Sequence, residues 1–166
     1  MSVTVWIRLL LVSLVAVFEV AGVSGAAAAS PTTPASGTFT YTSSTFNNVR
    51  QADGNTLIDL SATVSYTGTF SGTSTVQGTL IFHPDGTANF HDIEIFTGTV
   101  NGVPGTVTFN LARAGSVAQS AGSFQGNDVI VSGTGDLANL RGVLNEVGTV
   151  SAALPGPLGT YTGQIH

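Results

Sequence analysis

From Gly37 onward, hydrophobic and polar residues alternate along the chain with a period of two. In the segment 61–70, every second position is Ser or Thr, and the positions between them are Ala62, Val64, Tyr66, Gly68 and Phe70. This pattern is typical of a half-buried β-strand, because successive side chains of a strand point to opposite faces of the sheet. Threonine suits the polar face, since its branched Cβ fits the pleated backbone. The alternation therefore predicts an all-β domain.

Turn sequences separate the alternating segments. Pro84-Asp85-Gly86 and Asn101-Gly102 are typical of tight turns, and Asn127-Asp128 is a weaker signal of the same kind. A single helical turn is expected at 136–140, between an N-cap residue and Gly142. The predicted strands are residues 37–43, 57–70, 74–83, 87–98, 105–113, 117–126, 128–134 with 143–152 as one interrupted pair, and 159–166.

Charge and the two ends of the domain favour closure of the sheet. An open sheet must protect its edges, often with lysine or inward-pointing charges. This chain has no lysine, and only 8% of its residues are charged. The segments 37–41 and 159–163 are both strand-like, so they can pair with each other. We therefore predict a closed antiparallel barrel of about eight strands.

The N-terminal segment has the order of a secretory signal peptide. Arg8 precedes an apolar run at 9–18, and the small residues at 25–29 offer an A-x-A cleavage site. A retained membrane anchor is the alternative, but the run is shorter than the roughly 20 residues that a spanning helix needs. We predict a signal-peptide helix at 1–29, a flexible lead-in at 30–36 and a single barrel domain at 37–166. The mature protein is expected outside the cell, without stable insertion into a membrane.

Composition excludes several kinds of chemistry. The net charge of −5 and the missing lysine argue against a nucleic-acid partner. There is no cysteine, so neither a disulfide nor a thiolate metal site can form. His83, Asp85, His91, Asp92 and Glu94 form a candidate metal site, but alternation places His91 on the face of the strand opposite Asp92 and Glu94. We expect no metal and no cofactor.

Glu94 is the one candidate for catalysis. On a regular strand it shares a face with Phe90, Asp92 and Phe96, and a carboxyl group among aromatic rings has a raised pKa. Such a group can act as a general acid or base; the alternative is a structural role that fixes the register of the sheet. Candidate ligand-binding residues are Tyr66, Phe90, Glu94 and Phe96.

The three arginines of the domain are expected to be structural or solvated. Arg50 and Arg113 are expected to be solvated. Arg141 is expected to cover an end of the barrel, or to pair with Asp136 or Glu146.

Four segments together resemble a bacterial family known only as a domain of unknown function, which is grouped with the allene oxide cyclase-like and dirigent-like barrels. The chain departs from many of these relatives at Ile95, where they have arginine, and at Asn139, where they have glycine. The resemblance implies an eight-stranded barrel with an apolar interior, and it implies no particular reaction. The segments are residues 35–39, 84–90, 94–102 followed by Gly105, and 133–142.

Three functions follow from this picture. The favoured one is a secreted module that binds a small apolar ligand inside the barrel, where Gly68, Gly78 and Gly163 would leave room. One alternative is an enzyme of the cyclase or dirigent type, which guides a reactive intermediate by shape and exclusion of water. The other is an extracellular structural or interaction protein. The sequence favours a role without catalysis and leaves the oligomeric state open.

Overall fold

A computed structural model of the protein describes residues 31–118, 121–151 and 156–166, with backbone only at 117 and 118. The described chain forms eight strands and one 3-10 turn at Gly135–Leu137, close to the predicted helical turn. The strands are β1 (Thr33–Ala52), β2 (Asn55–Gly68), β3 (Phe70–Phe82), β4 (Thr87–Val100), β5 (Val103–Ala118), β6 (Ala121–Gly133), β7 (Gly142–Ser151) and β8 (Leu158–Ile165).

The strands form one ring-like antiparallel sheet. Each strand pairs with the next, and β1 also pairs with β8, from Thr33 opposite Ile165 to Thr40 opposite Leu158. Closing the ring removes the unpaired edges and makes the sheet a barrel. The prediction of an all-β protein with eight antiparallel strands is confirmed. The predicted signal-peptide helix at 1–29 lies outside the described residues, and within those described no helix is long and apolar enough to cross a membrane.

Two hairpin turns use residues that tolerate a positive φ. Asn101 and Gly102 join β4 to β5 with φ of 50° and 83°. Asp53 and Gly54 join β1 to β2 in the same way, with φ of 50° and 78°. The first turn was predicted; the second was missed, although Asp-Gly is as strong a hairpin signal as Asn-Gly.

The Asn127-Asp128 turn was predicted wrongly. Both residues lie within β6, and Asp128 pairs with Leu111 on β5 and with Leu144 on β7. The predicted strands 117–126 and 128–134 therefore merge into β6, and 143–152 is a separate strand, β7. Pairing on both sides overrides the local turn preference of the dipeptide.

Strand β1 is longer than predicted at both ends. It begins at Thr33, inside the segment 30–36 that was expected to be a flexible lead-in, and Ala35 is buried. It continues to Ala52, well past the predicted end at residue 43, because its second half pairs with β2 along an exposed ribbon. The first strand of the sheet therefore starts before residue 37.

Aromatic side chains fill the end of the barrel at which β4 turns into β5. The rings of Phe70 and Phe96 lie 5.5 Å apart, those of Phe70 and Phe109 lie 5.4 Å apart, and Tyr66 and Tyr161 complete the group. Edge-on and tilted contacts of this kind stabilise a core beyond the area that they bury.

The inward-facing glycines do not leave the room that was predicted for a ligand. A Cβ on Gly78 would lie 2.4 Å from Cβ of Asp92, and one on Gly163 would lie 3.0 Å from Leu144. At Gly68, the backbone of Ser36 is 2.4 Å from the same position. Neighbouring protein atoms occupy the space beside these glycines instead, so these positions leave no room for a ligand.

One tyrosine hydroxyl ties β8 to the turn between β2 and β3. The Tyr161 hydroxyl accepts a hydrogen bond from the Phe70 backbone N–H at 2.9 Å and donates one to the Thr67 carbonyl at 3.1 Å. Phe70 is fully buried, so its N–H has no access to water.

Replacing this tyrosine tests the tie. Tyr161→Phe leaves the Phe70 N–H buried without its acceptor, so we expect the free energy of unfolding to fall by about 1–3 kcal/mol in urea denaturation. The control is Thr162→Ala at the neighbouring exposed position, where we expect a change within about 0.5 kcal/mol. Equal stability of the two variants would contradict the role given to the hydroxyl.

Candidate functional site

A layer of charge crosses the middle of the barrel. Among the described residues, four acidic side chains and one arginine are buried there, and they come from four consecutive strands. They are Asp92 and Glu94 on β4, Arg113 on β5, Asp128 on β6 and Glu146 on β7. Each follows the inward parity of its own strand, which places all five in the interior.

The guanidinium of Arg113 is the centre of this charged layer. Its Nε donates to Oε2 of Glu146 at 2.6 Å, and its Nη1 donates to Oδ2 of Asp92 at 3.0 Å and to the Tyr41 hydroxyl at 2.9 Å. Its Nη2 lies 3.9 Å from Oε2 of Glu94. The expectation that Arg113 is solvated was therefore wrong. Arg113 also forms an ion pair with Glu94, although Ile95 stands where many relatives have an arginine directly after the glutamate.

Aromatic rings and a glycine complete the surroundings of Arg113. Its Cζ lies 5.7 Å from the ring centre of Phe90, 5.9 Å from that of Phe124 and 6.0 Å from that of Phe39, within the range of cation–π attraction. Across the sheet, a Cβ on Gly126 would lie 2.5 Å from Cγ of Arg113. The strand beside the arginine must therefore present glycine at this position.

Burial raises the pKa of Asp92, Glu94 and Asp128 in the layer. The pKa of Asp92 rises to about 7, because desolvation and the neighbouring Glu94 and Glu146 outweigh the attraction of Arg113. Desolvation also raises the pKa of Glu94, against the attraction of Arg113 and a hydrogen bond from Ser74. The pKa of Asp128 is held well above its ordinary value, first by desolvation and then by Glu146. With a pKa of about 7, Asp92 keeps part of its proton near neutral pH.

A pocket of about 320 Å³ opens above this layer. It lies at the end of the barrel where β1 joins β2 and β3 joins β4. Arg113 and Tyr41 are part of its lining, together with Ser44, Asn89 and Ser123. Its apolar lining residues are Phe46, Leu60, Leu80, Phe82, Ala88, Phe90, Ala114, Phe124, Val150 and Pro157.

The structure separates the predicted ligand-binding residues. Phe90 lines the pocket. Glu94 lies in the charged layer, Tyr66 and Phe96 are buried below it, and none of these three lines the pocket. Glu94 and Phe96 do share the inward face of β4 with Phe90 and Asp92, as the alternation indicated. Glu94 accepts a hydrogen bond from the Ser74 hydroxyl and faces Arg113, so its contacts are those of a buried structural acid.

Sequence reasoning missed most of the charged layer. Arg113 has the same parity as Val107, Phe109 and Leu111, so alternation alone indicated that it points inward. The same test applies to Glu146 beside Leu144. The inward parity of Arg113 and Glu146 could be seen in the sequence. Their ion-pair partners on distant strands could not, so the sequence did not distinguish a buried charge from one that reaches solvent at the end of a strand.

Arg141 makes neither of the ion pairs that were considered for it. Its Nη1 donates to the carbonyls of Leu140 and Ala138, at 2.6 Å and 3.2 Å. Glu146 instead pairs with Arg113. Within the part of the chain that the structure describes, no group of three or more His, Asp or Glu side chains has the arrangement of a metal site.

Removing the central cation should be costly. Arg113→Met leaves Asp92 and Glu146 buried without a counter-charge, so we expect the free energy of unfolding to fall by about 3–5 kcal/mol. The matched control is Arg50→Met, because Arg50 pairs with Asp59 at 2.6 Å but the two side chains are 45% and 37% exposed. That loss should stay below about 1 kcal/mol. Chemical denaturation of both variants compares them, and equal losses would refute the central role of Arg113.

The raised pKa values predict that stability falls as the pH rises. A carboxyl group such as Asp92, with a pKa of about 7 when folded and about 4 when unfolded, binds its proton more tightly in the folded state. Its contribution is complete below pH 4 and is lost as the pH rises through 7. Between pH 5 and pH 8, the free energy of unfolding should drop, by at most about 1.4 kcal/mol per pH unit for each such proton.

Two variants identify the source of this slope. Asp92→Asn should flatten it, whereas Asp59→Asn should not, because the pKa of Asp59 is lowered by its hydrogen bond to Arg50 and matters only at lower pH. Urea titrations at several pH values give the slope. A free energy of unfolding that increases from pH 5 to pH 8 in the unmodified protein would contradict the assignment.

Comparison with known proteins agrees with this architecture. A crystal structure of a protein with unknown function from the DUF3224 family of Shewanella oneidensis MR-1 matches with a TM-score of 0.55 and 18% identity. The match covers 82% of this chain and 97% of that one, and at this identity it shows a shared fold. No curated protein matches the chain. The family model described as "Protein of unknown function (DUF3224)" matches residues 35–151, and the chain therefore belongs to the DUF3224 family.

Proposed function

We propose that this domain binds a small apolar molecule in the pocket above the charged layer. The observation that carries the proposal is the pocket itself, about 320 Å³ in volume and lined mainly by aromatic and aliphatic side chains. Binding sites for small molecules have volumes of roughly 300–1,000 Å³ and mostly apolar walls with a few polar groups. Phe46 at its rim is 62% exposed, and an apolar side chain of this size beside an apolar pocket supports a ligand there.

The proposed ligand lies higher in the barrel than the sequence indicated. Of the four candidate residues, Phe90 belongs to this site, Tyr66 and Phe96 belong to the packed core, and Glu94 belongs to the charged layer. Since Glu94 does not line the pocket, a reaction of the cyclase or dirigent type that uses this carboxyl group receives no support from the geometry. We retain the likeness to allene oxide cyclase-like and dirigent-like barrels as a prediction, and we propose a location outside the cell from the leader-like residues 1–29.

Filling the pocket tests the proposal. Leu80 lines the pocket and packs against the core from its edge, so Leu80→Trp should occupy the ligand's volume. We expect the affinity for Nile red, a neutral apolar dye, to fall about tenfold or more in a fluorescence titration, a loss of at least ~1.4 kcal/mol.

The control places the same side chain outside the barrel. Ile95 is 49% exposed on the outer face of β4, so Ile95→Trp should leave dye affinity unchanged. Circular dichroism establishes that both variants are folded. Dye that binds equally to Leu80→Trp and to the unmodified protein, or that binds to neither, would refute the pocket as the ligand site.

A further inference from the structure

Two polar groups mark the deepest part of the pocket. The Tyr41 hydroxyl and the Arg113 guanidinium both belong to residues that line it, and the two are joined by the 2.9 Å hydrogen bond from Nη1. On β5, Gly115 and Arg113 line the pocket, but the next inward residue, Leu111, does not. A ligand that fills the pocket therefore ends against Tyr41 and Arg113.

The Tyr41 hydroxyl has a proton to donate. Its oxygen accepts the hydrogen bond from Arg113, and no described residue accepts a hydrogen bond from its O–H. Tyr41 is only 3% exposed, and a buried donor without an acceptor carries a cost in free energy. A hydrogen bond received from a cation also polarises the hydroxyl and makes it a stronger donor.

Arg113 has little to offer to a charged ligand. Of its five N–H donors, three are used by Glu146, Asp92 and Tyr41, and the two on Nη2 make no hydrogen bond but face Glu94, whose Oε2 lies 3.9 Å away. An incoming carboxylate could use the two Nη2 donors only beside Glu94, which does not line the pocket, and it would approach a layer in which four acids surround one guanidinium. An incoming ammonium group would meet the guanidinium itself. Charge of either sign is thus disfavoured at the bottom of the pocket.

We infer that the ligand is a neutral molecule with an apolar body and one hydrogen-bond acceptor, such as a ketone, ester or ether oxygen, which binds the Tyr41 hydroxyl. This inference rests on the proposed function, because it assigns the chemical class of the ligand in the same pocket. Tyr41 is then the residue that determines specificity, and the apolar walls supply most of the affinity.

The experiment compares probes of one chain length. Octane, 2-octanone, octanoate and octylamine compete with Nile red at pH 7, where the last two are charged. We expect 2-octanone to displace the dye at lower concentration than either ion.

In Tyr41→Phe, affinity for 2-octanone should fall about fivefold, the equivalent of one hydrogen bond of about 1 kcal/mol, while affinity for octane is unchanged. The control Tyr161→Phe also loses a buried hydroxyl, but at the packed end of the barrel, and should leave the affinities for both unchanged.

The outcomes separate the two proposals. If none of the probes displaces dye, or no dye binds, the pocket is not a ligand site and the proposed function fails. If octane and 2-octanone lose affinity equally in Tyr41→Phe, or if octanoate or octylamine binds more tightly than 2-octanone, the pocket binds ligands but the inferred chemical class is wrong. If Tyr41→Phe does not fold, the affinities of the unmodified protein for 2-octanone, octanoate and octylamine still test the inferred chemical class.

Discussion

The ion pairs of one buried guanidinium hold the middle of this barrel together. Arg113 reaches from β5 to Asp92 on β4, to Glu146 on β7 and to Tyr41 on β1, so one side chain connects walls that are distant around the ring. In a chain without cysteine, this is a non-covalent link across the interior. Buried ion pairs often contribute little net stability over an apolar core, but they penalise any arrangement that separates their members. The layer thereby specifies the register of the strands that carry it.

The charged layer also explains why the two halves of the interior differ. Below it, aromatic rings approach one another and glycines admit neighbouring atoms, which leaves a packed core. Above it, the rings of Phe90 and Phe124 face Arg113 on one side and the pocket on the other. Ion pairs with Asp92, Glu94 and Glu146 offset the charge of Arg113, so an apolar pocket can lie directly above the layer.

The alternation of side chains predicted the strands well because every second residue of the ring faces a single interior. It predicted the inward face of β4 correctly, including Glu94. It failed where local and global preferences disagree: Asn127-Asp128 has turn chemistry, but pairing with β5 and β7 keeps it in a strand. The position of the pocket could not be predicted from the sequence, because it depends on which inward-facing residues of the eight strands lie at the same height in the barrel. The space beside Gly78 illustrates this, because Asp92 fills it from the adjacent strand.

The placement of the arginines has a practical consequence for proteolysis. The chain contains no lysine, so trypsin depends entirely on arginine, and in the described region these are Arg50, Arg113 and Arg141. Arg50 is accessible on the outer ribbon, whereas Arg113 lies inside a closed hydrogen-bonded ring. A protease reaches the bond after Arg113 only when the barrel opens. The peptide ending at this residue is therefore a built-in reporter of the opened population, readable by mass spectrometry without any label.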